Sequence, residues 1–139
     1  MIDLDNQTDF KIAIEPLEHI CSLYTQQDIE LLIVDNETIQ AINKAHRNID
    51  KPTDVLSFPY DSMPFTPLGS IVISCDYVAL KAEEFGHTQE EEFTLLFIHG
   101  LLHLLGFDHE VDKGEMRLEE AKLIEKLNLP QSLIVRTEG

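Results

Sequence analysis

Cationic side chains are scarce in this 139-residue chain: 10 Lys and Arg stand against 26 Asp and Glu, a formal charge of −16 at pH 7. Such a balance argues against nonspecific attraction to polyanions. Cysteine is nearly absent as well, and Cys21 and Cys75 lie far apart with no CxxC spacing. That argues against a disulfide framework or a cysteine metal site and predicts two buried thiols in a reducing compartment. No apolar run approaches the roughly 18 residues a membrane span requires. The first ten residues, MIDLDNQTDF, have neither a basic n-region nor an apolar h-region. The expected location is therefore the cytoplasm, with no membrane partner. Repeats and low-complexity stretches are lacking too. What is present, 43% apolar and 26% charged residues, matches a folded globular protein, and the length fits one domain over residues 1–139.

Along the chain, strand and helix signals alternate. Ile2 to Asn6 reads as a short strand, and Phe10 to Leu23 carries apolar residues near helical spacing. Glu30 to Val34 is an apolar run of strand length, followed by Asp35 or Asn36 as a helix cap and a helix ending near Arg47. Val55 to Phe58 and Gly69 to Ser74 read as strands, separated by a proline-rich connection. Asp76 to Phe85 is helical, with Gly86 placed to end it in the left-handed region. Thr88 and Glu91 form a capping box, so a helix begins at Gln89 and continues through EEEFTLLFIHGLLHLL. From Leu95 to Leu105 this segment is apolar on all sides except at His99, Gly100 and His103, which predicts a central, interior helix. Gly106 then stops it, and a last amphipathic helix is expected over roughly 112–127.

The chemistry concentrates on that central helix. His99 and His103 are one turn apart, so their imidazoles share a face about 6 Å apart along the axis and can grip one ion. His109, beyond the glycine, can return as a third ligand and leave a coordination position open, the arrangement of a catalytic zinc site. Three imidazoles also accept nickel, copper or iron. The HxxxHxxGxxH spacing is that of metzincin proteases, but Gly100 occupies the position of their glutamate base, which counts against peptide hydrolysis by that route. Lys44, His46, Arg47 and Lys51 cluster within eight residues, either a local basic patch or an ordinary solvated turn in which Arg47 pairs with Asp50 or Asp54.

HGLLHLLGFDH at 99–109 closely resembles the HGxLHLxGxDH signature of the YbeY family of bacterial rRNA maturation factors. INKAHRNIDKPTDVLSFPY at 42–60 and LGSIVIS at 68–74 resemble two further family blocks, so the likeness extends over nearly the whole chain. Ser70 departs from an expected aspartate, and His46 from an aromatic residue. The resemblance implies an α/β (α+β) single-domain zincin-like fold, a small mixed sheet packed with helices around the central metal-binding helix. It further implies metal-dependent endonucleolytic cleavage of single-stranded RNA in 16S rRNA 3′-end maturation and ribosome quality control. By motif, His99, His103 and His109 are the ligands of one Zn2+, and Arg47 is the catalytic arginine. The implied partners are rRNA and the small ribosomal subunit, with a small-subunit ribosomal protein or assembly GTPase as a further candidate. Two other readings stand beside it: a zinc hydrolase acting on a peptide or small molecule, and a noncatalytic assembly factor with a structural metal. Asp54, Ser57 and Asp108 are either structural or supporting residues.

Overall fold

Isoleucine, leucine and valine fill the short apolar runs, and these runs become the strands of one four-stranded sheet. The computed structural model describes residues 1–60, 66–107 and 115–129. β1 (Ile2–Asn6), β2 (Ile29–Val34) and β4 (Gly69–Ser74) are parallel, and β3 (Val55–Pro59) pairs antiparallel with β4 at one edge, giving the order β1-β2-β4-β3. Ile71 pairs with Leu31 on one side and Ser57 on the other. Side chains alternate across a strand, so Ile71 and Ser57 look to one face while Ser70, Val72, Leu56 and Phe58 look to the opposite one.

Among the described residues five helices cover the sheet: α1 (Ile14–Ser22), α2 (Asn36–Arg47), α3 (Cys75–Phe85), α4 (Gln89–Leu104) and α5 (Glu115–Lys126). α2 closes the Val72 face, packing Ile39 on Val34, Leu56 and Val72. The larger core fills the Ile71 face, where α1, α3, α4 and α5 contribute Leu17, Val78, Phe97 and Leu123. This is the small mixed sheet packed with helices that the family resemblance implies.

Two differences from the sequence reading have local causes. The helix expected from Phe10 begins only at Ile14, because Asn6 and Thr8 tie the preceding segment into a turn. Asn6 donates to the Phe10 carbonyl (2.6 Å) and accepts from Thr8, and Thr8 accepts from the Phe10 N–H. Phe10, Ile12 and Ile14 still pack against the core, at the period of an extended chain rather than a helix. Cys21 is buried as expected, but Cys75 is only half-buried, since it opens α3 at the end of a sheet strand; both are free thiols. The last helix is described from Glu115, and its expected beginning at 112–114 lies outside the described residues.

α4 runs through the core. Thr88 and Glu91 make both bonds of the capping box. Between Glu92 and Leu104 every residue is buried except His99 and His103. The helix lies very close to β4: a Cβ added to Gly100 would stand 2.9 Å from Cγ2 of Ile71. At its end Gly106 takes φ 101°, its N–H reaches the His103 carbonyl (3.1 Å), and the N–H of Phe107 reaches that of Leu102 (3.0 Å). These are the two bonds of a Schellman stop, and they turn the chain back after the second histidine.

Candidate functional site

The surface opens over the only two α4 positions in that stretch that are not buried. A cleft of about 530 Å3 is walled by His99 and His103 from α4, by Asp54 and Ser57 at β3, by Arg47 at the end of α2 and by Phe107 after the Schellman turn. Each wall has a sequence cause. The 3.6-residue period stacks the histidines one turn apart. Asp54 starts β3 by accepting the Val55 N–H (2.8 Å), and Ser57 Oγ donates to the Gly100 carbonyl (3.3 Å), fastening the edge strand to the central helix. α2 begins with Asp35 capping the Thr38 N–H and ends on Asn48 in the left-handed region, which sets Arg47 in its last turn.

The rings of His99 and His103 stand 4.7 Å apart at 74°, and their Nε2 atoms are separated by 3.2 Å. Two nitrogens at about 2.0–2.1 Å from a tetrahedral zinc are separated by roughly 3.3–3.4 Å. The separation therefore suits two ligands of one ion. Nδ1 of His99 is paired with Oε1 of Glu120 at 2.9 Å, and the Glu120 side chain is fully buried. Among the described residues no group of three His, Cys, Asp or Glu side chains forms a ligand set. The expected third ligand, His109, lies outside the described residues, as does Asp108.

Arg47 is exposed, and among the described residues it pairs with neither Asp50 nor Asp54. Lys44 takes Asp50 (3.9 Å), and Asp54 is engaged with the Thr53 hydroxyl and the Val55 N–H. The arginine thus lines the same cleft as the histidines, with neither of these carboxylates on its guanidinium among the described residues. His46, beside it, leans on Phe58 at 5.1 Å. Ser70 is on the opposite face of β4 from the cleft, buried near Tyr60, whose hydroxyl donates to Glu30 (2.9 Å). The strand period removes it from the site, so its departure from the expected aspartate leaves the cleft unaltered.

Gly100 also acquires a different meaning. A side chain at this position would be directed at Ile71 in the sheet, and Gly100 is no part of the cleft wall. The glycine is present because the helix lies against β4. Glu120 is the residue the sequence reading missed. It falls on the inward face of α5 with Met116, Leu123 and Ile124, but in a helix written EMRLEEAKLIEK nothing local distinguishes it from its solvated neighbours.

Fold and cleft together define a single α/β protein whose buried central helix offers paired histidines to a groove edged by an arginine. A family model described as Endoribonuclease YbeY matches residues 3–128, and the chain belongs to that family. Among its relatives named Endoribonuclease YbeY, that of Sulfurimonas denitrificans is 63% identical over the whole of both chains. The one from Campylobacter jejuni is 54% identical over the whole of both, and that of Helicobacter pylori 52% identical over 99% of each. The solution structure of TM1509 from Thermotoga maritima superposes with a TM-score of 0.66 at 28% identity, covering 91% of this chain and 89% of that one.

Proposed function

We propose that this protein is a metal-dependent endoribonuclease that cuts single-stranded RNA in the cytoplasm, acting on the 3′ end of small-subunit rRNA and in ribosome quality control. One zinc ion per chain is held by His99, His103 and His109, and Arg47 binds the phosphate. The observation that carries this reading is the pair of Nε2 atoms 3.2 Å apart, opening into the same cleft as an arginine with no carboxylate partner among the described residues. Family membership supplies the substrate class.

When bound, zinc acts as a Lewis acid and lowers the pKa of water to about 7. The protein's own residues supply position and charge. Arg47 can hold two phosphate oxygens through its planar fork and stabilise the negative charge that grows at phosphorus as the bond is cut. The histidines bring two ring nitrogens to within 3.2 Å of each other, and Phe107 and β3 form the walls. A peptidase reading is weaker, because a glutamate base at position 100 would be aimed into the sheet. The net charge of −16 opposes capture of free RNA, so delivery falls to a protein partner on the small subunit, a ribosomal protein or an assembly GTPase.

Arg47→Ala tests the reading. It should retain zinc and lose about 100- to 1,000-fold in cleavage rate, the cost of removing one preorganised charge donor. His103→Ala should lose both zinc and cleavage. Wild-type cleavage by either variant, or full cleavage by chelator-treated protein, refutes it.

A further inference from the structure

We propose that Glu120 is the positioning residue of the metal site, fixing the tautomer and ring orientation of His99 from a helix that contributes nothing else to the cleft wall. This rests on the zinc reading of the site.

Glu120 is completely buried, on the same face of α5 as Met116, Leu123 and Ile124. A carboxylate in such company costs folding free energy that an apolar side chain of similar size does not. Packing therefore gives no reason for a glutamate here. Its contact does: Oε1 lies 2.9 Å from Nδ1 of His99. With the Glu120 oxygen as acceptor, Nδ1 carries the proton and Nε2 of His99 is left with its lone pair. That lone pair points to the atom 3.2 Å away, Nε2 of His103. With His99 as acceptor, the bond between the two rings is donated by Nε2–H of His103; for both nitrogens to meet one ion, His103 would have to move that proton to Nδ1 by exchange with water. The opposite tautomer of His99 would put a proton where the ion belongs. Glu120 thus selects the binding-competent ring before the ion arrives, and its negative charge raises the basicity of the ligand.

The experiment uses the full chain with zinc alone as the probe, in wild type, Glu120→Gln and Glu120→Leu. Zinc affinity is measured by competition with a chromophoric chelator, and unfolding by urea in metal-free protein. Glu120→Leu should bind zinc about 10- to 100-fold more weakly while its metal-free stability is unchanged or higher. Glu120→Gln keeps an oxygen that accepts from Nδ1–H and should recover most of the affinity. Nitrogen-detected NMR of metal-free protein at pH 8 should show His99 as the Nδ1–H tautomer in wild type and Glu120→Gln, and a mixture in Glu120→Leu. Wild-type zinc affinity in Glu120→Leu, or loss of stability with no loss of affinity, overturns the role of Glu120 and leaves the nuclease reading intact. If Glu120→Leu loses zinc but the wild type cleaves no RNA, the positioning role stands and only the nuclease reading falls.

Discussion

Replacing Gly100 with alanine sets two opposing effects against each other, and the structure decides between them. In an ordinary helix interior the change stabilises by about 1 kcal/mol, because glycine loses more backbone entropy on folding. Here the new Cβ would stand 2.9 Å from Cγ2 of Ile71 and 3.3 Å from both Cγ1 and Cδ1, where carbon contacts are comfortable at about 3.5–4.0 Å. Ile71 cannot move aside. It is fully buried, it sits on β4 between β2 and β3, and its β-branch leaves χ1 stiff. Overpacking of this kind costs about 1–3 kcal/mol, so the net change should be a loss of up to about 2 kcal/mol. A double-mutant cycle isolates the contact. Ile71→Ala alone should cost about 2–5 kcal/mol, and in the Gly100→Ala background it should cost less, by a coupling of about 1–3 kcal/mol. Urea unfolding of metal-free protein, with unchanged m-values, measures all four corners. If Gly100→Ala is more stable than wild type by the full helix propensity, with no coupling to Ile71, the close approach of α4 to β4 is wrong.

Burial pushes the Cys21 thiol up to about 12, so at pH 8 its thiolate fraction falls about a thousandfold below that of a thiol at its ordinary value. Iodoacetamide should label half-buried Cys75, also raised by burial, ahead of Cys21. Labelling of Cys21 in native protein at a free-thiol rate contradicts this. Asp35 provides the pH test. Its bonds to Thr38 hold its carboxyl below the ordinary range, so the native state favours the ionised form. The stabilisation is present above the unfolded pKa near 3.8 and is lost as pH falls through the lower native value. The stability difference between wild type and Asp35→Ala should therefore be constant from pH 7 to about 5 and shrink toward pH 3; a constant difference across that range rules the cap out as its source.

How much could be read from the chain depends on whether the information was local. The capping box at Thr88 and Glu91, the stops at Gly86 and Gly106, and the strand from Gly69 to Ser74 each need only neighbouring residues, and each is where the pattern puts it. The one-turn spacing of His99 and His103 is local too, so the pairing of their rings was legible. The turn at Asn6 and Thr8 was misread because apolar residues at 10, 12, 14 and 17 fit two periods at once. Three things were not legible, since each depends on where distant elements meet. Ser70 is turned from the cleft by strand parity, Gly100 answers to Ile71 across a layer, and Glu120 reaches His99 from another helix.

The contact between Glu120 and His99 also orders events in time. A chain leaves the ribosome from its N-terminus, so Arg47, His99 and His103 emerge before Glu120. If Glu120 orients His99 as proposed, a metal ion would be held poorly until residue 120 has been translated and α5 has docked. The cleavage proposed for this cleft would then begin only after α5 has docked.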